Sequence, residues 1–133
     1  MRIGTTLSAG LVLALLVIAG CNNSPTGPGI QPEIINAADS FEYQVSNIRD
    51  YSGAATYIWE NSGTNANLNL STVGNTGEAM LTVLDAAGTQ VFSGTLNANG
   101  TFMTDPGVAG EWTLRVHYTS FSGTVNFRAE KAT

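Results

Sequence analysis

The sequence predicts an all-β protein, a single antiparallel β-sandwich of seven or eight strands. From residue 39 onward, apolar and polar residues alternate with period two, which is typical of strands with one buried face. Turn segments rich in Gly, Asn and Asp separate these runs about every 8–12 residues, as in sandwich folds. No stretch after the first 20 residues shows the 3.6-residue period of an amphipathic helix.

The chain begins with the layout of an export signal. Arg2 supplies a short positive region, and the apolar run Leu7–Gly20 follows it. The uncharged stretch 3–20 is shorter than the roughly 20 residues of a typical membrane span. No basic stop-transfer cluster follows. We therefore predict a signal peptide over residues 1–20; a retained transmembrane helix is the alternative.

The end of this leader, Ile18-Ala19-Gly20-Cys21, resembles the lipobox of bacterial lipoproteins, and Cys21 is the only cysteine in the chain. The resemblance implies that Ile18, Ala19 and Gly20 are recognised by the signal peptidase. It also implies that Cys21 becomes the mature N-terminus and bears diacylglyceryl and acyl (palmitate) groups. One chain anchors a protein only marginally, whereas two or three hold it durably. A plain secretory signal with an incidental cysteine is the alternative.

Residue 22 bears on which membrane the anchor enters. It is Asn22 and not aspartate, and aspartate after the lipidated cysteine commonly favours inner-membrane retention in Gram-negative lipoproteins. The resemblance therefore implies a cell-envelope protein, on the outer membrane if the host is Gram-negative.

Residues 21–38 are predicted to be a lipid-anchored tether, because they are rich in Pro, Gly and Asn and contain no aromatic residue. Residues 39–133 are predicted to be the sandwich domain. Its clearest stripe is Trp112, Leu114, Val116 and Tyr118. The segments Gly74–Gly77, Asp85–Gly88, Asp105–Gly107 and Ser120–Gly123 are predicted to be turns. The remaining predicted strands lie around 41–46, 55–60, 66–71, 79–84, 90–95, 101–104 and 124–128.

A second resemblance concerns the predicted domain, over roughly residues 39 to 130. The segment Leu81–Phe92 has an Asp85-x-x-Gly88 turn, Gly110-Glu111-Trp112 follows it, and Gly123-Thr124-Val125-Asn126-Phe127 ends it. This order is similar to that of bacterial pre-peptidase C-terminal-type jelly-roll domains. The resemblance implies a jelly-roll or immunoglobulin-like sandwich and the role of an accessory module.

Composition excludes several classes of function. Ten acidic residues oppose five basic ones, for a net charge of −5, and removing Arg2 with the leader makes it more negative. Nucleic acid is therefore not an expected partner, because phosphates require a basic surface. With Cys21 lipidated and one histidine in the chain, a thiolate or zinc site lacks ligands. We expect no cofactor and no metal; the only bound group that we expect is the covalent lipid on Cys21.

No catalytic residue is predicted. His117, the only histidine, stands opposite the apolar stripe, and the chain has no Gly-x-Ser-x-Gly elbow. Asp85 and Asp105 occur in turn signatures, which favours a structural role for both. The candidate ligand-binding residues are two loop aromatics and two asparagines that are able to hydrogen-bond glycans: Tyr51, Phe121, Asn61 and Asn65.

These observations predict a non-enzymatic envelope lipoprotein, held at the membrane by lipid, that presents a small sandwich for structural or protein-interaction roles. A carbohydrate-binding module at the cell surface or in the periplasm is the alternative, and a small hydrolase is a more remote one. An envelope protein or a glycan is the expected partner.

Overall fold

The computed structural model describes residues 30–132, and most of these residues lie in strands. Every strand pairing is antiparallel, so the prediction of an all-β antiparallel fold is confirmed. A 3-10 turn, Leu96–Ala98, lies between two of these strands. The seven strands in this part of the chain are β1 (Glu33–Ala37), β2 (Ser40–Asn61), β3 (Ala66–Leu70), β4 (Val73–Leu84), β5 (Gln90–Thr95), β6 (Gly100–Met103) and β7 (Gly110–Lys131).

Two long strands, β2 and β7, form the centre of the sheet. Each is 22 residues long, and they pair from Ser40 opposite Glu130 to Asn61 opposite Gly110. The remaining strands add to this pair. Along one half of the β2–β7 pair, the strand order of the sheet is β1-β2-β7-β3-β6. Along the other half, β4 pairs with β7 and β5 pairs with β4.

The long pair bends near its middle. Asn47, Asp50 and Ser120 have positive φ values of 57°, 44° and 44°, and the pairing register shifts between residues 45 and 53. Bulges of this kind bend and twist a strand pair. At the bend, serine hydroxyls accept hydrogen bonds from backbone N–H groups in place of backbone carbonyls. Asp50 N donates to Ser122 Oγ (2.8 Å), and Ser120 N donates to Ser52 Oγ (2.8 Å).

Because of this bend, the two halves of the sheet face each other like the layers of a sandwich. Phe41 and Tyr57 belong to the same strand, yet their rings lie 5.7 Å apart across the interior. On the opposite side, Phe92 of β5 and Phe102 of β6 approach to 6.2 Å. The sandwich-like fold predicted from the alternation is therefore present.

The core follows the predicted stripe. Trp112, Leu114, Val116 and Tyr118 are all buried, and Arg115 and His117 between them are exposed. Past the bulge at Ser120 the alternation changes from even to odd residue numbers. The buried hydrophobic residues of the second half of β7 are Phe121, Val125, Phe127 and Ala129.

The predicted boundary between tether and domain at residues 38 and 39 is wrong. Glu33–Ala37 forms β1, which pairs with β2 from Glu33 opposite Gln44 to Ala37 opposite Ser40. All five β1 residues are exposed. An edge strand of this kind has no buried stripe, so its sequence lacks the alternation from which the other strands were predicted.

Two predicted turns are also wrong. Gly74–Gly77 lies inside β4 and Ser120–Gly123 lies inside β7, each at a register irregularity. Glycine and serine occur there because the strands must bend and approach closely, which requires the same residue types as a turn.

Candidate functional site

The predicted lipidation site, Ile18-Ala19-Gly20-Cys21, lies outside the described residues, which begin at Ile30. Ile30 packs against the core next to the bend of β2. A shallow depression of about 430 Å³ lies beside it, lined by residues that include Ile48 and Arg49. The chain therefore enters the domain at the bend of the long strands.

The two aromatic residues predicted to bind ligand pair with each other at this bend. Phe121 is fully buried within β7, and Tyr51 of β2 is half-buried. The Tyr51 ring packs edge-on against Tyr118 at 5.4 Å and lies over Gly53. The prediction that both residues stand in loops is therefore wrong. The strands continue through the bulge, and the change in alternation at Ser120 turns Phe121 inward.

Asn61 and Asn65 lie at the opposite end of the sandwich, where their amides hold a turn. Asn61 is buried; its Oδ1 accepts from Gly63 N (2.9 Å) and its Nδ2 donates to Asn65 O (3.3 Å). Asn65 Nδ2 donates to Thr104 O at 3.0 Å. The structure therefore does not bring the four predicted residues into one surface, because Tyr51 and Phe121 lie at the bend in the middle of the long strands, whereas Asn61 and Asn65 lie at and just after the end of β2.

All four tyrosines of the chain form one cluster in the interior. Tyr43 Oη and Tyr118 Oη are 2.7 Å apart, and Tyr57 and Tyr51 pack against them. Burial raises the pKa of Tyr118 to about 12, and burial also raises the pKa of Tyr43 and of Tyr57. These hydroxyls are neutral at physiological pH, so the cluster acts as a hydrogen-bonded part of the core.

Asp85 organises the loops next to it. Its Oδ2 accepts from Val108 N (2.8 Å), and its Oδ1 accepts from Thr89 N (2.8 Å) and Ala87 N (2.9 Å). These bonds, from Val108 first and then Thr89, hold the pKa of the carboxyl below its ordinary value. The predicted structural role of Asp85 is confirmed. Asp105 is exposed in the loop between β6 and β7.

His117 is exposed on β7, as predicted from its position opposite the stripe. Its cross-strand neighbours are Ala54 of β2 and Met80 of β4, neither of which has a group able to transfer a proton. Within residues 30–132, no three His, Cys, Asp or Glu side chains lie close enough together to hold a metal ion. The same stretch contains no helix long and apolar enough to cross a membrane.

The outer face of the β1-containing half of the sheet has a second shallow depression, of about 440 Å³. Glu33, Ile35, Glu42 and Arg128 line it, and Arg128 Nε lies 3.4 Å from Glu42 Oε2. The exposed edge of β1 borders this depression. Sequence analysis missed this edge because the strand lies within the predicted tether. The signal that was available is the pair of β-branched residues Ile34 and Ile35.

No protein-family model matches this chain, and no curated protein sequence matches it either. Among solved structures, the crystal structure of accessory secretory protein 1, 2 and 3 in Streptococcus pneumoniae shows 13% identity. That match covers 77% of this chain and 86% of that chain, with a TM-score of 0.39. Procruciferin, an 11S globulin from Brassica napus, shows 21% identity over 69% of this chain and 21% of that chain, with a TM-score of 0.36. Similarities this distant assign no function.

Proposed function

We propose that this protein is a cell-envelope lipoprotein without enzymatic activity, whose sandwich domain serves a structural or protein-interaction role at the membrane. The observation that carries the proposal is Cys21, the only cysteine, placed at the end of an apolar leader in a lipobox-like sequence. An acylated cysteine at that position anchors a domain by burying its acyl chains in the bilayer.

The position of the domain along the chain supports this proposal. Ile30 is the first described residue, nine residues after Cys21. At about 3.3–3.6 Å per residue, nine residues reach at most about 30 Å. The domain would therefore stay close to the bilayer. The bend of β2 and β7 would be the part of the domain nearest the anchor.

The domain surface supports an interaction role better than a chemical one. The lone histidine stands exposed in mid-strand, and the buried tyrosine hydroxyls hydrogen-bond to each other. The two depressions are shallow and open and lie on strand surfaces. Contacts with a partner would therefore be made through sheet faces, edges and loops, as in strand-addition interfaces.

The anchor is tested with a Cys21→Ser variant of the full chain, expressed in a bacterial host that processes lipoproteins. The wild type is expected in the membrane fraction with a mature N-terminus whose mass includes the acyl groups. Cys21→Ser is expected to remain as precursor or to leave the membrane fraction, because serine offers no thiol for thioether formation.

The matched control is Cys21→Ser combined with Ser24→Cys, which restores a thiol outside the lipobox-like sequence. We expect this double variant to behave like Cys21→Ser. Membrane association of either variant at the wild-type level after removal of its leader, or an unmodified thiol on the native protein, would show that the proposal is wrong.

A further inference from the structure

Within residues 30–132, strand β1 leaves one edge of the sheet open. Among these residues it pairs only with β2, it ends the strand order of its half of the sheet, and all five of its residues are exposed. Ile35 has 62% of its surface exposed and Ile34 has 36%. An edge of this kind presents unpaired backbone groups to any strand that lies beside it.

This edge lacks three of the features with which proteins protect an edge strand. Between Glu33 and Ala37 there is no lysine, no proline and no bulge, and the pairing with β2 is continuous. The neighbouring edge of β2 is partly covered, since Asn36 Nδ2 donates to Ile58 O (2.8 Å) and Trp59 Nε1 donates to Ala37 O (3.1 Å). Ala37 is therefore the least open residue of β1, and the stretch before it is the most open.

We propose that β1 pairs antiparallel with β1 of a second copy of this chain, which joins two sheets into one. A two-fold axis at Ile35 places Ile35 opposite its own copy, Ile34 opposite Asn36 and Glu33 opposite Ala37. The only charged residue of the strand, Glu33, then faces a small neutral residue, and no like charges are opposed. The sequence of β1 is thus compatible with antiparallel pairing between two copies of the strand.

The location of the anchor favours a second copy over other occupants, and this step rests on the proposed function. Copies anchored in one bilayer meet at a high effective concentration, which lets a short edge pair despite its small contact area. Glu33 lies twelve positions after Cys21 in the sequence. At about 3.3–3.6 Å per residue they span up to about 40 Å. That exceeds the roughly 17 Å length of a five-residue strand, so both anchors of an antiparallel pair can reach the same membrane.

The test is oxidative cross-linking, in bacterial membranes, of full-length variants that keep Cys21 and carry one added cysteine each. Ile35→Cys places a thiol on the proposed axis. Ile58→Cys is the matched control, because Ile58 is a β-strand isoleucine with 53% exposure on the other half of the sheet. Cleavage after Glu33 and Glu42 releases residues 34–42, which separates position 35 from Cys21. Mass spectrometry of this peptide identifies the linked residue, and the N-terminal mass reports lipidation in the same sample.

We expect a linked dimer of the 34–42 peptide for Ile35→Cys and no linked dimer for Ile58→Cys. Adding Ile34→Lys to Ile35→Cys is expected to abolish the dimer, because an edge lysine opposes strand pairing. A lipidated Ile35→Cys protein without the linked peptide, or equal linking at both positions, overturns self-pairing and leaves the proposed function intact. An unlipidated protein refutes the proposed function, and the linked peptide then decides the self-pairing separately.

Discussion

Trp112 lies near the start of β7, next to the loop that precedes this strand. It is fully buried, its ring packs edge-on against Trp59 at 6.1 Å, and its Nε1 donates to Val108 O at 2.7 Å. We expect Trp112→Ala to lower the free energy of unfolding by about 3–5 kcal/mol, because it opens a large cavity and removes one of the two hydrogen bonds to Val108 O. Urea unfolding followed by circular dichroism measures the loss.

His117→Ala is the matched control for this change, since His117 lies on the same strand with its side chain exposed. We expect the change in unfolding free energy to stay within about 0.5 kcal/mol, as for most surface substitutions. A cost for His117→Ala comparable to that of Trp112→Ala would show that the orientation of β7 is wrong.

Single residues also mark where sequence-based prediction succeeded and failed. The side-chain directions of Trp112 and His117 follow from alternation alone, because a regular strand has a period of two. The burial of Phe121 does not follow, because the positive φ of Ser120 shifts the alternation by one residue. Serine does not require a positive φ, so the presence of Ser120 in the sequence does not indicate that the alternation shifts there.

The elements meet most closely where β4 crosses the bend of β7. Gly77 has a φ of +75°, and a Cβ there would overlap the carbonyl oxygen of Ser120. Gly77→Ala therefore combines backbone strain of about 1–2 kcal/mol with steric overlap that adds roughly 1–3 kcal/mol. Thermal unfolding should show a clearly lowered midpoint for this variant.

Gly88→Ala separates the two effects. Gly88 has a φ of +85° and no atom within 4 Å of an added Cβ, so only the strain applies. We expect its cost to be about 1–2 kcal/mol. If Gly77→Ala cost no more than Gly88→Ala, the close approach of β4 and β7 would be refuted.

The strands could be located from the sequence wherever one face is buried, as in β3 and the first half of β7. The bends could not, because a bulge inside a strand and a turn between strands use the same residues, as at Gly74–Gly77 and Ser120–Gly123. For the same reason Tyr51 and Phe121 were predicted to lie in loops, whereas both lie in strands. The edge strand β1 was missed because no burial pattern marks it.

At the scale of the whole molecule, the tyrosine cluster sets an alkaline limit to stability. Tyrosine in an unfolded chain ionises near pH 10, whereas burial raises the pKa of Tyr118 to about 12 in the folded state. The folded state therefore holds more protons above pH 10, and stability is expected to fall as pH rises from about 10 toward about 12. Below about pH 10 this contribution is fully present.

Urea midpoints measured across this range, together with tyrosinate absorbance, check the expectation. The matched variant is Tyr43→Phe combined with Tyr118→Phe, which removes both partners of the 2.7 Å hydrogen bond. Replacing both partners leaves neither hydroxyl unsatisfied, so the variant should fold and show a shallower alkaline decline. An identical decline in both proteins would show that the cluster does not control it.

The pairing of β2 with β7 also determines when the domain is able to fold. The paired residues are separated in sequence by 49 positions at Asn61 and Gly110 and by 90 positions at Ser40 and Glu130. Chains dominated by such distant pairings fold on the scale of milliseconds to seconds. A nascent chain that lacks residues 110–131 has no central strand against which to close. The polypeptide therefore stays open until its last strand emerges, a state compatible with passage through a narrow export channel before folding.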